Sequence, residues 1–157
     1  MTGPAGGGGP VSFRPQSVRG APPPGELPGH IDYRLARNAV VAEYRRGRLS
    51  RLDVCDAHPE LVRAAHGAGT PTGQRCPICE EVELVHVSYA FGSRLPAGGR
   101  TFAGAQELDA VLRRASPVTC YAVEVCAGCG WNHLARTYAA ARRRPAAGER
   151  GRRGSPG

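Results

Sequence analysis

The chain has 157 residues, 22 of them glycine and 14 proline, with six cysteines and a formal charge of +8. That length suits one domain, and no apolar run approaches the roughly 20 residues of a membrane-spanning helix, which argues against a membrane protein. No N-terminal stretch joins basic residues to a continuous apolar segment, so the expected location is the cytoplasm, where cysteines serve as metal ligands or buried thiols rather than disulfides.

Residues 1–29, MTGPAGGGGPVSFRPQSVRGAPPPGELPG, have too few apolar residues for a core and read as disordered. The tail 141–157, ARRRPAAGERGRRGSPG, reads the same way and concentrates positive charge in Arg142, Arg143, Arg144, Arg150, Arg152 and Arg153. Residues 30–140 hold 13 Arg and 11 acidic residues and form the single folded domain. All 21 basic residues are arginine, a bias that fits a GC-rich coding sequence as well as it fits phosphate recognition.

Within that domain the first expected element is a helix over Ile31–Arg46, with Ile31, Leu35, Val40 and Tyr44 at helical spacing and Gly47 as its stop. Ser50 to Asp53 resembles a capping box opening a short helix through Cys55, and Pro59 begins another through Ala65. Gly67, Gly69 and Pro71 end the helical half.

The period then changes to two. In VELVHVSYAF, Val85, Val87, Tyr89 and Phe91 share one face and Leu84, His86 and Ser88 the other. VTCYAVEVC alternates likewise, with Tyr121, Val123 and Val125 opposite Cys120, Ala122 and Glu124, and WNHLARTY makes a third strand. Between the first two strands, Phe102, Leu108, Val111 and Leu112 mark one amphipathic helix in the insertion 92–117. The expected fold is therefore α+β: N-terminal helices packed on a three-stranded antiparallel zinc ribbon with a helical insertion and disordered termini.

Two C-x2-C pairs frame this sheet. Cys76 and Cys79 precede the first strand, while Cys126 and Cys129 form the turn between the second and third, so all four meet at one end. A C-x2-C turn supplies two sulfurs from one tight loop whose amides also bond the thiolates, and two such loops close a tetrahedral site. One structural Zn2+ is the expected cofactor, although the same four sulfurs also suit iron. A redox reading is disfavoured because both pairs run into strands, without the helix that lowers a thiol pKa. Pro77 and Gly130 fit the knuckle turns, whereas Glu80 stands where glycine is common.

The segments IDYRLARNAV, RLSRLDVCDAHPELVRAA, CPICEEVELVHVSYAFG and TCYAVEVCAGCGWNHL together resemble a small actinobacterial zinc-ribbon-like family catalogued as domain of unknown function 5318. The resemblance spans about residues 30–140. It implies the domain boundaries and the lineage, and it implies no particular activity.

Three further groups carry alternatives. His86, Glu124 and His133 are polar residues in apolar strands, which suits a buried hydrogen-bond network or, with less support, proton shuttling or a second metal. Cys55 and His58 form a lone C-x2-H, favouring packing or capping over a second zinc, and Cys120 reads as a core thiol. Trp131, Tyr89, Phe91, Tyr121 and Tyr138 fit a core better than a base-stacking platform. The reading that follows is a non-enzymatic binding module for a protein or nucleoprotein partner, with a role in transcription suggested only by analogy with zinc ribbons. Direct nucleic-acid binding through the arginine tail and sheet aromatics is the alternative, and an enzyme built on His86, Glu124 and His133 comes third.

Overall fold

The computed structural model describes residue 13, residues 18–20 and residues 29–142; the remainder of the two segments read as disordered lies outside the described residues. The domain is α+β, with strands β1 (Ile31–Asp32), β2 (Thr70–Arg75), β3 (Glu83–Phe91), β4 (Arg100–Phe102), β5 (Val118–Val125) and β6 (Asn132–Ala140), and helices α1 (Arg34–Arg45), α2 (Arg51–Val54), α3 (Pro59–Ala68) and α4 (Gly104–Ala115). No helix among the described residues is long and apolar enough to cross a membrane.

Local sequence explains the helix starts. Ser50 Oγ accepts from Asp53 N–H at 3.1 Å while Asp53 Oδ2 accepts from Ser50 N–H at 2.7 Å, a reciprocal box that opens α2. Pro59 occupies the first turn of α3, where its missing N–H costs nothing, and His58 Nδ1 accepts from Glu60 N–H at 3.1 Å. His58 is thus a helix cap. The first helix differs from expectation: Ile31 and Asp32 are extended and pair with Thr137 and Arg136, and Asp32 Oδ1 accepts from Arg34 N–H at 2.8 Å to turn the chain into α1. Moving the start to Arg34 changes what is buried, for α1 buries Val41 and leaves Leu35 85% exposed.

The sheet is larger than the three strands anticipated. Its order is β1-β6-β5-β3-β2, with β4 also on β3 and every pairing antiparallel. Strands β3, β5 and β6 are the predicted ones. The missed strands lie at the edges: β2, TPTGQR, is polar and exposed, and its Pro71 and Gly73 suit an unprotected edge. Gly69 makes the close turn from α3 into β2, because a Cβ there would lie 2.3 Å from Ala65 O and 2.8 Å from the Val85 side chain.

The alternation of β3 and β5 divides the core by face. Val87, Tyr89, Tyr121, Val123, Val125 and Leu134 pack with Leu61 and Ala65 of α3. Phe13 and Val18 join this cluster, so part of the N-terminal segment read as disordered is built into the domain. Two isolated apolar residues in a Gly/Pro-rich stretch give no periodic signal. Arg19 N–H groups reach Asn132 O at 3.1 Å, Asp53 O at 2.6 Å and Asp56 Oδ2 at 3.1 Å, tying that segment to β6 and the α2 exit. On the opposite face, Val111, Leu112 and Ala115 of α4 cover Ala90 and Cys120 at one end of the sheet. At the other end Val41 and Val54 pack with Leu84, Trp131 and the sulfurs of Cys76 and Cys126.

Candidate metal centre

The two C-x2-C turns have matching backbones. Glu80 N–H donates to Cys76 O and Gly130 N–H to Cys126 O, each at 3.0 Å; Cys76 N–H donates to Val82 O and Cys126 N–H to Trp131 O, each at 2.8 Å. Amides turn inward to sulfur, with Ile78 N–H on Cys76, Cys129 N–H on Cys126 and Trp131 N–H on Cys129, all at 3.4 Å. Sulfurs of opposite turns approach to 3.6 Å (Cys76 to Cys129) and 3.7 Å (Cys79 to Cys126). All four ligand atoms lie within 4.8 Å of one another, an arrangement that could hold one metal ion.

Glu80 takes the left-handed conformation, φ 59°, that Gly130 takes at φ 89° in the other turn, and it is the one non-glycine with positive φ among the described residues. Such a conformation costs a side-chain-bearing residue about 1–2 kcal/mol, against roughly 0.5–1 kcal/mol of extra chain entropy lost by glycine on folding. Glu80→Gly is therefore expected to stabilise the protein by about 0.5 kcal/mol, seen as a small rise in the thermal midpoint with unchanged metal content.

Crowded thiols resist ionising together. Burial pushes the Cys76 thiol up to about 11 despite the amides of Cys79 and Ile78. Burial likewise pushes Cys129 well above the ordinary thiol range, and the neighbouring Cys55 and Cys76 sulfurs push it further. Cys79 falls instead, to about 7, because hydrogen bonds from Glu81 and Val82 amides and from two cysteines outweigh its burial. A divalent cation among the four sulfurs would supply the charge that lets all of them ionise.

The polar residues of the apolar strands are brought together, but not as a His-Glu-His relay. Glu124 faces His86 on one side and His133 on the other in the strand register. Its Oε2 instead accepts from Trp131 Nε1 at 2.7 Å and from Arg37 Nε at 3.1 Å. His133, 1% exposed, stacks on Trp131 with centroids 6.2 Å apart, and its Nδ1–H donates to Leu134 O at 2.7 Å. Gly20 closes over the ring, since a Cβ at that position would lie 2.9 Å from His133 Cε1. His86 lines an open groove of 550 Å³ between α1 and the sheet, with Arg37, Gln74, Glu124 and Arg136 around it. Both hydrogen bonds to Glu124 escaped the sequence: Arg37 lies on a distant helix, and Trp131, expected in the core as an aromatic, gave no sign that its Nε1–H would meet a carboxylate.

Burial lowers the pKa of both His133 and His86, and Glu124 only partly opposes it. Above about pH 6.5 the imidazoles are neutral in folded and unfolded chains alike and contribute nothing to the pH dependence. As pH falls below that value the unfolded chain takes up protons first, so stability drops. Denaturant titrations with metal in excess are expected to show stability falling from pH 7 to 5, with a shallower slope in His133→Gln; thiolate protonation acts on both proteins and cancels in the comparison.

The remaining candidates divide plainly. Cys120 is a fully buried thiol, pushed up to about 11 by burial, and stands apart from the other sulfurs. Trp131, Tyr89 and Tyr121 are buried, and Phe91 and Tyr138 partly so, which makes them core rather than a base-stacking surface. Arg142 donates its backbone N–H to Ser116 Oγ at 2.7 Å. Arg143, Arg144, Arg150, Arg152 and Arg153 lie outside the described residues.

The family described as Family of unknown function (DUF5318) matches residues 28–154 of the chain. Among curated proteins, the uncharacterized protein Rv0049 of Mycobacterium tuberculosis (strain ATCC 25618 / H37Rv) is 41% identical over 125 residues, covering 80% of this chain and 91% of the relative. The uncharacterized protein Mb0050 of Mycobacterium bovis matches with the same identity and coverage. No solved structure matches the chain significantly.

Proposed function

We propose that this chain, which belongs to the Family of unknown function (DUF5318), is a non-enzymatic binding module clasped by one zinc ion on Cys76, Cys79, Cys126 and Cys129. The observation that carries the reading is the ligand set. Four sulfurs within 4.8 Å fill a tetrahedral shell and leave no position for water or substrate, as expected of a structural rather than a catalytic metal. Strands β3, β5 and β6 with their two knuckles then have the arrangement of a zinc ribbon. Iron would suit the same sulfurs, and metal analysis of the purified protein separates the two.

The reading against an enzyme is supported by what the polar residues are already doing. Glu124 Oε2 is held by both Trp131 and Arg37, and His133 lies buried beneath Gly20, so neither is poised as a free base beside a substrate. For a protein or nucleoprotein partner, α1 and α2 offer Leu35 and Leu52, 85% and 86% exposed, with Arg34 and Arg51 beside them. An exposed leucine with an arginine next to it suits a partner that offers an apolar contact beside an acidic group. Cross-linking in host extract tests this: a partner captured by the native protein and lost in the Leu35→Glu, Leu52→Glu double variant supports the surface, and equal capture by both removes it.

A second reading, direct nucleic-acid binding, is favoured by the charge concentrated in Arg142, Arg143, Arg144, Arg150, Arg152 and Arg153. Binding through that tail would weaken steeply with salt and vanish on truncation after Ala140. Retained, sequence-dependent binding would place recognition on the folded domain instead.

A further inference from the structure

The sulfur cluster has a fifth member. Cys55 Sγ lies 3.3 Å from Cys129 Sγ, closer than either of the two contacts between opposite knuckles, at 3.6 and 3.7 Å. Cys55 is nevertheless not one of the four whose ligand atoms are mutually within 4.8 Å, so it sits against the site from outside.

The backbone holds it there. Cys55 closes α2 by donating its N–H to Arg51 O at 2.8 Å, and Ala57 N–H donates to Gly130 O at 3.0 Å. A Cβ on Gly130 would come within 3.1 Å of Cys55 O, so the glycine allows the second knuckle to press against residues 55–57. Beside Cys55, Val54 is fully buried and anchors the turn. Cys55, Cys79 and Cys129 are partly buried, within reach of a small oxidant, whereas Cys76 and Cys126 are enclosed, and it is the Cys129 sulfur that Cys55 touches. The two sulfurs need to close by about 1.3 Å to reach the roughly 2.05 Å of a disulfide.

We propose that Cys55 is the resolving thiol of a redox-sensitive metal site, in which a hydroperoxide drives formation of a Cys55–Cys129 disulfide and the site surrenders its metal. The Cys129 thiolate attacks the peroxide; the O–O bond breaks, an S–O bond forms to give a sulfenic acid, and the alcohol, or water from hydrogen peroxide, leaves after taking a proton from solvent. Cys55 then attacks the oxidised sulfur, forming S–S as S–O breaks and water departs with the thiol proton. Two sulfurs each give one electron and the peroxide takes both. Cys129 is then no longer a ligand, leaving three thiolates and loosening the cluster of Cys76, Cys126, Val41, Val54 and Trp131 on which α1 and α2 rest. A resolving thiol makes the change reversible, because a disulfide is reducible where an over-oxidised cysteine is not.

The inference rests on the zinc reading above, and one experiment separates their failures. The full-length protein, its zinc content measured first, is treated with hydrogen peroxide while a chromogenic chelator follows release and peptide mass spectrometry maps the cysteines. The expected result is a linked Cys55–Cys129 peptide formed together with zinc release, both reversed by dithiothreitol and added zinc. Cys55→Ser should release zinc irreversibly and accumulate Cys129 as sulfinic acid. A protein free of zinc at the outset defeats the zinc reading, and the disulfide map still decides the pairing. Cys129 linked to another cysteine, or unlinked after oxidation, overturns the proposal, as does equal reversibility in Cys55→Ser; the map of the unaltered protein decides even where that variant fails to fold.

Discussion

Stripping the protein with a strong chelator is expected to abolish its cooperative thermal transition and much of its near-ultraviolet circular dichroism. One core cluster is built on the ligands themselves: Cys76 and Cys126 are 1% and 0% exposed and pack with Val41, Val54, Ile78, Leu84 and Trp131. Without a cation the inward-turned amides of both knuckles have no metal-held thiolates to bind, and the link that brings β3 and β6 to one end is lost. Structural zinc contributes about 10–16 kcal/mol in small domains, against a total stability of about 5–15 kcal/mol, so removal exceeds what the remaining core can offset. Cys126→Ser should mimic chelation. Cys120→Ala, at the thiol outside the cluster, should leave metal content unchanged while costing about 1 kcal/mol. A chelated protein with an unaltered melting curve would refute the dependence.

The second large effect is expected at Glu124, which is 7% exposed and accepts two hydrogen bonds on one oxygen. Replacing it with glutamine removes the charge facing Arg37, while the amide oxygen, placed where Oε2 lies, still accepts from both donors as a weaker, neutral acceptor. Bonds to charged groups contribute about 1.5–3 kcal/mol each against about 1 kcal/mol for neutral ones, so two weakened bonds should make Glu124→Gln cost about 2 kcal/mol in denaturant unfolding. Glu124→Ala, leaving the Arg37 guanidinium and the fully buried Trp131 N–H without their acceptor, should cost about 3–5 kcal/mol. Arg37→Met combined with Glu124→Gln is expected to cost less than the sum of the single changes, because the pair acts as a unit. A Glu124→Gln protein of native stability would mean that this bond set does not hold the α1 end of the sheet.

What could be read in advance follows from where the physical signal is local. The period of two in residues 83–91 and 118–125 marks strands with two distinct faces, and the structure places Val87 and Val123 on one side and Leu84 and Cys120 on the other. The capping box at Ser50 and the proline at the start of α3 signal within four residues of sequence, and both helices form there. The cysteine spacing likewise brings the four sulfurs to one end. What escaped depends on partners far along the chain. Strand β2 exists only because β3 offers it an edge, Phe13 and Val18 are buried only because α3 and Tyr89 provide a site, and Leu35 is exposed because Asp32 starts α1 later than its apolar spacing suggests. The pairing of Cys55 with Cys129 bridges 74 positions and had no spacing rule to reveal it.

The proposed closed four-sulfur zinc site is tested most directly by X-ray absorption at the metal edge of the purified, unoxidised protein. One zinc per chain is expected, with four sulfur scatterers near the roughly 2.3 Å of zinc–thiolate bonds and no nitrogen or oxygen bound to the metal. A shell containing a light atom, fewer than four sulfurs, or iron in place of zinc would contradict it.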